Sequence, residues 1–322
     1  MSKTWILTDG ALGNVKQCLA LCHYIQEDPI CYSEKAPRPW RWLGPGGVSG
    51  GTRALPDKLR QAIALQQPEL LVSAGRQGAL FSRVLKSIWN PSPIRIHILN
   101  PRISPTHFDL VITPQHDRLA GPNVIETLGS LNNVDDESLQ RARSQWSDRL
   151  GALPRPIQVI LIGGSTRAYQ ITPTAVEAIA STAQQHREQH GGSVLVSMAP
   201  RSTPDIHRTV ETHLASLASD MWAGEPENPY LGYLAYADRI LVTPDSINMV
   251  SEACAVGVPV LVDFENVTHK RFARFYAALA SRGLISSRSD SSADLSAKPL
   301  RETEEVAAEV RRRLAQVKKS RR

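Results

Sequence analysis

The 322-residue sequence has few cysteines and no long apolar run. The length excludes a small disulfide-stapled module. None of its 4 cysteines forms a C-x-x-C pair and all lie in core-like segments, so we expect buried free thiols in a reducing compartment. Cys18, Cys22 and His23 fall on one predicted helix, but no second pair of metal ligands follows, so we predict no metal site. No apolar stretch approaches the roughly 18 residues of a membrane span. The first residues lack a signal-peptide pattern, so we expect a cytoplasmic protein with at most peripheral membrane contact.

Basic charge is concentrated at the carboxyl end. Lys and Arg number 37 against 31 Asp and Glu, a net charge of +6. The segment 311–322 holds seven of these basic residues and no acid. Because a nucleic-acid-binding fold spreads basic residues over a face, we expect no nucleic-acid partner. The tail predicts contact with an anionic membrane surface, each basic side chain contributing about 1 kcal/mol; a solvated helix end is the alternative.

Short apolar runs alternate with amphipathic stretches, which predicts βα units feeding parallel sheets. The length corresponds to about two domains. Two prolines and a glycine in 151–156 break the alternation, so we predict an N-terminal domain over 1–152 and a C-terminal domain over 153–322. The expected class is α/β, with two Rossmann-like, doubly wound parallel-sheet domains facing a central cleft. Ligands of such sheets bind at the carboxyl ends of the strands.

The loop after the first predicted strand carries glycines that let a ligand approach the backbone, and a helix with free N–H groups follows it. Its polar and glycine residues are Asp9, Gly10, Gly13, Asn14 and Gln17. The pattern does not match G-x-G-x-x-G, so a dinucleotide fingerprint is absent. A tight βα turn with Asn14 as helix cap is the alternative interpretation.

The second half carries two further candidate loops. Gly163-Gly164-Ser165 follows a strongly apolar strand, and such a turn before a helix is a common phosphate cradle. Arg201, near the end of another predicted strand, suits the charge of a pyrophosphate.

The segment 228–260 is predicted to contain a helix, a strand, a polar turn and a second helix. Asp245 and Ser246 begin the second helix, whose N-terminus faces phosphate in this interpretation. Glu252 lies about two turns further along and can accept hydrogen bonds from two ribose hydroxyls. The alternative makes Asp245 a helix cap and Glu252 a solvated helix residue.

This segment resembles the donor-nucleotide motif of glycosyltransferases with the GT-B architecture. The resemblance rests on the order of a strand, a polar turn, Ser251-Glu252-Ala253 on a helix, and then Gly257-Val-Pro259. The resemblance implies that Glu252 holds the ribose and that Gly163-Gly164-Ser165 lies near the phosphates.

A resemblance to the mitochondrial-fission protein family covers nearly the whole chain. It rests on Asp9-Gly10, Gly13-Asn14, Gln17, Ser73-Ala-Gly-Arg76, Pro101-Arg102, Phe108-Asp-Leu-Val-Ile, Pro114, His116-Asp117, Pro122-Asn-Val124 and the segment 228–260. Plant members of that family act in organelle division, and bacterial members are regarded as glycosyltransferases of cell-envelope polysaccharide. One departure is Arg201-Ser-Thr-Pro204, where the family pattern has Arg-Arg-Thr-Pro.

These resemblances imply a metal-independent glycosyltransferase that uses a nucleotide sugar as co-substrate and no bound cofactor. The acceptor would be a cell-envelope polysaccharide or a lipid-linked molecule. The implied donor-site residues are Gly163, Gly164, Ser165, Arg201, Asp245, Ser246, Ser251 and Glu252. The expected acceptor-side residues are Gly10, Gly13, Asn14, Gln17, Arg76 and Arg102, with Asp9, His116 and Asp117 as candidates for the general base.

Two other functions stay open at this point. A non-catalytic adaptor of the mitochondrial-fission type would recruit a partner through the same fold. A nucleotide-sugar epimerase is disfavoured because the dinucleotide fingerprint and a Tyr-x-x-x-Lys pair are both absent from the first half.

Overall fold

The computed structural model describes residues 3–46, 50–166, 169–199, 202–224, 227–287 and 298–320. The chain divides into two compact units, Met1–Asn133 with Glu302–Arg322 and Val134–Arg301. Each unit is built on one parallel sheet.

The first unit has six strands in the order β2-β1-β3-β4-β5-β6. The strands are β1 (Thr4–Thr8), β2 (Pro29–Ser33), β3 (Leu70–Ala74), β4 (Ile94–Ile98), β5 (Leu110–Pro114) and β6 (Val124–Thr127). The connecting helices are α1 (Leu12–Tyr24), α2 (Trp40–Leu43), α3 (Asp57–Leu65) and α4 (Gly75–Lys86). Strands β1, β3, β4 and β5 are buried along their whole length, as parallel strands covered on both faces must be.

The second unit has five strands in the order β11-β10-β7-β8-β9. They are β7 (Ile157–Ile162), β8 (Ser193–Met198), β9 (Asp220–Trp222), β10 (Arg239–Val242) and β11 (Val260–Val262). The helices are α5 (Asp136–Gln145), α6 (Ser147–Leu150), α7 (Pro173–His190), α8 (Pro204–Leu214), α9 (Tyr230–Tyr236), α10 (Ile247–Val256) and α11 (Lys270–Ala280).

The predicted α/β class with two doubly wound parallel sheets is confirmed. In the first sheet the chain runs outward from β1 in both directions, and in the second it does so from β7. Two strands were not predicted, β6 and β9, and both are short strands at the edge of a sheet. Because an edge strand is covered less completely, these two lack the continuous apolar run that marks the inner strands.

Three of the four free cysteines are buried, as expected, but Cys31 is exposed. It lies on β2, which is an edge strand of the first sheet, so burial on both faces does not extend to it. The predicted polar loop from Ser286 to Ser296 falls outside the described residues from position 288 onward.

The last helix, α12 (Glu302–Ser320), belongs to the first unit, whereas the sequence predicted it in the second domain. Val306, Val310 and Leu314 are buried in the core that also contains Leu21 of α1. The Glu302 carboxylate accepts hydrogen bonds from the Leu128 and Gly129 N–H groups, at 2.7 and 2.8 Å. These contacts bring the end of the chain back onto the first sheet.

The boundary between the units falls at residues 133 and 134, earlier than the predicted 152 and 153. The reason is that α5 and α6 pack within the second unit. The Tyr236 hydroxyl on α9 donates to the Arg143 carbonyl on α5, at 3.0 Å, and the ring of Trp146 covers Gly232. A proline-rich linker therefore lies inside the second unit rather than between the units.

The packing of α12 predicts a stability difference between two positions on that helix. Leu314→Ala removes a buried side chain and should lower the free energy of unfolding by about 2–3 kcal/mol. Gln316→Ala changes an exposed position and should be near neutral. Urea unfolding of the full chain measures both, and equal effects would contradict the assignment of α12 to the core.

His97 on β4 is a fully buried histidine. Its Nδ1 lies 2.9 Å from the Ser73 hydroxyl, and its ring stacks on Phe108 with the centroids 4.8 Å apart. Burial lowers the pKa of His97 to about 3. The ring is therefore neutral in the folded protein at neutral pH.

This pKa predicts a loss of stability in acid. In the unfolded chain His97 takes up a proton near its ordinary pKa of 6.5, whereas the folded protein resists protonation down to about pH 3. The free energy of unfolding should fall with decreasing pH across that window, by up to about 1.4 kcal/mol per pH unit from this residue. His97→Leu should show a shallower pH slope in urea unfolding, while His23→Gln, an exposed control, should keep the wild-type slope. Identical slopes in all three proteins would refute this assignment.

Candidate functional site at the carboxyl edge of the sheets

Each sheet has a topological switch point, where chain direction across the sheet reverses. It lies between β1 and β3 in the first sheet and between β7 and β10 in the second. Ligands of doubly wound sheets bind outside the carboxyl ends of the strands at such points. The loops after β1 and β7 both carry residues that the sequence singled out.

In the second unit, two hydrogen bonds tie the loop after β7 to the segment that follows β10, and a third joins two residues of that segment. The Gly163 N–H donates to Thr243 Oγ1 at 2.8 Å, and the Gly164 N–H donates to Asp245 Oδ2 at 3.1 Å. Thr243 Oγ1 also donates to Asp245 Oδ1 at 2.6 Å. The Asp245 side chain is only 2% exposed. While these bonds hold, the two glycine N–H groups are engaged by the protein itself.

The same arrangement explains why position 163 is a glycine. A Cβ at Gly163 would fall on the two carboxylate oxygens of Asp245. The Ser202 hydroxyl donates to the Gly163 carbonyl at 2.7 Å, so the loop is held from a third side. Ser165 is engaged as well, because its Oγ accepts from the Ile171 N–H at 3.0 Å.

The N-cap of α10 is Ser246 rather than Asp245. Its Oγ accepts from the Met249 N–H at 3.3 Å, which leaves the Asp245 side chain to bond the loop after β7. Ser251 lies at the start of the second turn of α10, is fully buried, and its hydroxyl donates to the Ile247 carbonyl at 2.8 Å. Of the serines predicted for this site, Ser251 is turned back onto its own helix.

Glu252 is a buried carboxylate, 7% exposed, not a solvated helix residue. The Tyr230 hydroxyl donates to Glu252 Oε2 at 2.6 Å. Burial, followed by the negative charge of Glu252, raises the pKa of Tyr230 well above its usual value, so the phenol stays protonated and remains a donor. The carboxylate keeps further acceptor capacity, since each of its oxygens can accept more than one hydrogen bond.

The edge around these residues is acidic. Asp263 follows β11, and its charge together with that of Asp245 adds to burial in raising the pKa of Tyr169. Arg201, the cationic residue predicted for this site, lies outside the described residues.

In the first unit, an open pocket of about 610 Å³ lies at the carboxyl ends of β1 and β2. Its lining includes Asp9, Gly10, Ser33, Glu34, Lys35 and Asp57. Asp9 Oδ1 accepts from the Ala11 N–H at 3.2 Å and from Asn14 Nδ2 at 3.1 Å, so the carboxylate is held in one orientation.

The remaining acceptor-side candidates have different surroundings. Asn14 lies within the first turn of α1, which begins at Leu12, so it is not the helix cap. Gln17 is buried, and its Nε2 donates to the Gly13 carbonyl at 3.2 Å. Arg76 donates to the Trp42 carbonyl at 2.5 Å, and Arg102 is exposed with a φ of 61°.

The three candidate bases do not come together. Asp9 follows β1, whereas His116 and Asp117 lie in a single turn of 3₁₀ helix after β5. Because β3 and β4 lie between β1 and β5, the two positions are about three strand spacings, or ~14 Å, apart. His116 is also buried, at 2% exposed. Only Asp9 lies at the switch point and lines the pocket.

The basic tail is partly engaged by the protein. Arg311 donates to the Tyr24 carbonyl, and Arg312 and Arg313 both bond Glu309. No helix among the described residues is long and apolar enough to cross a membrane. In the same described ranges, no group of three or more His, Cys, Asp or Glu side chains is arranged to hold a metal ion.

The two parallel-sheet units give the chain a GT-B-like architecture with two Rossmann-like domains. The chain belongs to the mitochondrial fission ELM1 family, whose model matches residues 12–314. It is 28% identical to mitochondrial fission protein ELM1 of Arabidopsis thaliana over 80% of this chain and 66% of that protein, so it spans just under two thirds of that relative's length. It is 22% identical to the uncharacterized protein RP120 of Rickettsia prowazekii, over 94% of this chain and 96% of the relative.

Two solved structures show the similarity of fold. The UDP-GlcNAc 2-epimerase of Neisseria meningitidis, bound to UDP-GlcNAc, matches with a TM-score of 0.56 at 13% identity, over 95% of this chain and 98% of that one. The UDP-GlcNAc 2-epimerase of Methanocaldococcus jannaschii matches with a TM-score of 0.57 at 12% identity, over the same shares. At such identities the likeness shows the architecture alone.

Sequence reasoning missed three residues that shape the second site, namely Tyr230, Thr243 and Tyr169. Tyr230 and Thr243 lie inside the segment 228–260 that the sequence had already marked. Their partners are 22 and 80 residues away along the chain, so no local pattern could have revealed the bonds.

The contact between Gly163 and Asp245 predicts a non-additive pair of substitutions. Gly163→Ala should lower the free energy of unfolding by about 2 kcal/mol or more, because the new methyl group displaces a hydrogen-bonded carboxylate. In an Asp245→Ala background the same change should cost much less, since the obstructing oxygens are gone. Thermal or urea unfolding of the four proteins measures the coupling, and strictly additive effects would contradict the contact.

Proposed function

We propose that the protein is a nucleotide-sugar-dependent glycosyltransferase that acts on a cell-envelope polysaccharide or a lipid-linked acceptor. The observation that carries the proposal is the buried Glu252 carboxylate on α10, held by Tyr230 at the switch-point edge of the second sheet. Each carboxylate oxygen can accept more than one hydrogen bond. A ribose diol supplies two hydroxyl donors, and the N-terminus of the same helix attracts the phosphates that a nucleotide carries.

In this proposal Glu252 accepts hydrogen bonds from the ribose hydroxyls, and Tyr230 acts as a positioning residue. The 2.6 Å bond from Tyr230 fixes one carboxylate oxygen and thereby the plane of the group. Because the pKa of Tyr230 is raised, the phenol donates across the physiological pH range.

The diphosphate would lie against the first turn of α10. A helix N-terminus offers unpaired N–H groups and a partial positive charge. The N–H groups of Gly163 and Gly164 are taken by Thr243 and Asp245, so their part would be to shape the site. The negative charge of Asp245 makes a cation necessary, and Arg201 is the proposed source, stabilising the departing diphosphate without a metal.

The acceptor would enter the pocket beside Asp9 in the first unit. Carboxylates and polar groups line that pocket, which suits the hydroxyl groups of a sugar. The Asp9 carboxylate, oriented by Ala11 and Asn14, is the proposed general base that removes the proton of the attacking hydroxyl.

The donor class has support from the structural neighbours. The Neisseria protein was solved with UDP-GlcNAc, and a Methanocaldococcus structure with UDP-GlcNAc and UDP. We propose a nucleotide sugar of this kind for the present chain, which shares their architecture.

A second candidate is the non-catalytic adaptor. The observation in its favour is that Thr243 and the buried Asp245 carboxylate occupy the two glycine N–H groups that a phosphate would use. The Arabidopsis relative is named for mitochondrial fission, and that name is compatible with an adaptor function. An adaptor would bind no nucleotide, so one binding experiment separates the two functions.

The donor site predicts selectivity for ribose. Glu252→Gln should weaken binding of a ribonucleoside diphosphate by at least about 10-fold and leave binding of its 2′,3′-dideoxy analogue unchanged. Tyr230→Phe should act in the same direction with a smaller effect. Tyr236→Phe is the matched control, because it removes another hydroxyl from the same helix, one bonded to a backbone carbonyl.

Isothermal titration calorimetry with UDP, GDP, ADP and CMP identifies the nucleotide first. A wild-type protein that binds none of them would favour the adaptor. Binding that is equally tight for the ribose and dideoxy forms would remove Glu252 from the donor site.

The acceptor side predicts an effect on turnover. Asp9→Asn should lower kcat by about 100-fold or more with unchanged donor affinity, because the amide cannot accept the proton. Asp117→Asn, about 14 Å away along the sheet edge, should keep near wild-type turnover. The assay is transfer from the nucleotide sugar identified by binding, and the reverse ranking of the two variants would exclude Asp9 as the base.

A further inference from the structure

The segment 35–56 carries four basic residues and no acid. The basic residues are Lys35, Arg38, Arg41 and Arg53. Within the described part of the chain none of the four forms an ion pair. Outside this segment and the tail, the chain carries 26 basic against 31 acidic residues, so the uniformly positive charge of the segment differs from the rest of the sequence.

Two large apolar side chains are exposed in the middle of this basic segment. Trp42 is 62% exposed and Leu43 is 58% exposed, both on the one-turn helix α2. The Arg38 guanidinium lies over the Trp42 ring, 5.1 Å from its centroid. We call Arg38, Arg41, Trp42 and Leu43 the α2 patch.

Contacts of Trp40 and Arg76 hold the α2 patch in place on the first unit. Trp40 of the same helix packs on the core formed by Leu55 and Leu80, and its ring covers Gly50. Arg76 donates to the Trp42 carbonyl at 2.5 Å. Trp40 therefore anchors the turn, while Trp42 and Leu43 are held outward.

The patch adjoins the pocket of the first unit. Lys35 and Pro37 line that pocket, and the patch begins at the next residue. Leu12, 70% exposed, starts α1 two residues after Gly10, which also lines the pocket. Exposed apolar side chains therefore flank the pocket on two of the three chain segments that line it.

We infer that the α2 patch docks the protein on an anionic membrane surface. Tryptophan prefers the interface between lipid and water, and arginine beside it meets the headgroup phosphates. Arg38 and Arg41 are exposed and form no ion pair among the described residues, so their charges are available to a surface of uniform negative charge. The pocket would then open beside the bilayer, where a lipid-linked molecule is presented.

This inference concerns a different element from the basic tail, whose Arg311, Arg312 and Arg313 are engaged by the protein. It also stands without the proposed transferase activity, since docking requires no turnover. Flotation with lipid vesicles tests it directly on the full chain.

The experiment compares phosphatidylcholine vesicles with and without phosphatidylglycerol. The wild-type protein should float with the anionic vesicles and be released by salt. Arg38→Gln/Arg41→Gln should partition about 30-fold more weakly, as expected for two lost charges. Trp42→Ser/Leu43→Ser should also lose binding, and thermal melting confirms that each variant is folded.

Two control variants remove an exposed apolar side chain and two exposed positive charges outside the α2 patch. Leu65→Ser changes a side chain that is 84% exposed on α3, and Lys318→Gln/Lys319→Gln removes two exposed charges of the tail. Both should float like the wild type. The inference is overturned if the wild type ignores anionic vesicles, or if patch variants float normally. Loss of binding in the tail variant alone would overturn it too, as would patch variants that change only the oligomeric state.

Discussion

Asp245 leaves β10 at the switch point of the second sheet and turns its carboxylate back onto the loop that follows β7. There it accepts hydrogen bonds from Gly164 and Thr243 and leaves no room for a side chain at position 163. The bond fixes the shape of this edge and gives it negative charge. Any anion that binds here must use other donors, which are the free N–H groups of α10 and a cation from the chain.

The two units share a doubly wound strand order but present different side chains at the carboxyl ends of their strands. In each sheet the strand order reverses beside the first strand, and the carboxyl ends of strands at such a point are where doubly wound sheets bind ligands. The second unit offers a buried glutamate and a helix N-terminus, a combination suited to ribose and phosphate. The first unit offers an open polar pocket with Asp9, suited to hydroxyl groups. The exposed α2 patch beside that pocket adds a surface whose composition suits lipid headgroups.

Much of the fold was predictable because inner parallel strands are continuous apolar runs. The edge strands β6 and β9 have no such run, and the position of α12 depends on contacts with Leu128 and Gly129 more than 170 residues away. The candidate site was predicted less completely. Sequence placed Glu252 on a helix, but its hydrogen bond with Tyr230 joins residues 22 positions apart. The separation of Asp9 from His116 follows from strand order, which the local pattern does not contain.

Amide hydrogen exchange of the full chain, with and without the nucleotide diphosphate that binds most tightly, tests the central claim most directly. If the carboxyl edge of the second sheet is the donor site, exchange should slow in the first turn of α10 and in the segment 163–166, and Glu252→Gln should abolish the effect. Protection confined to the first unit, or no protection under saturating nucleotide, would contradict the account.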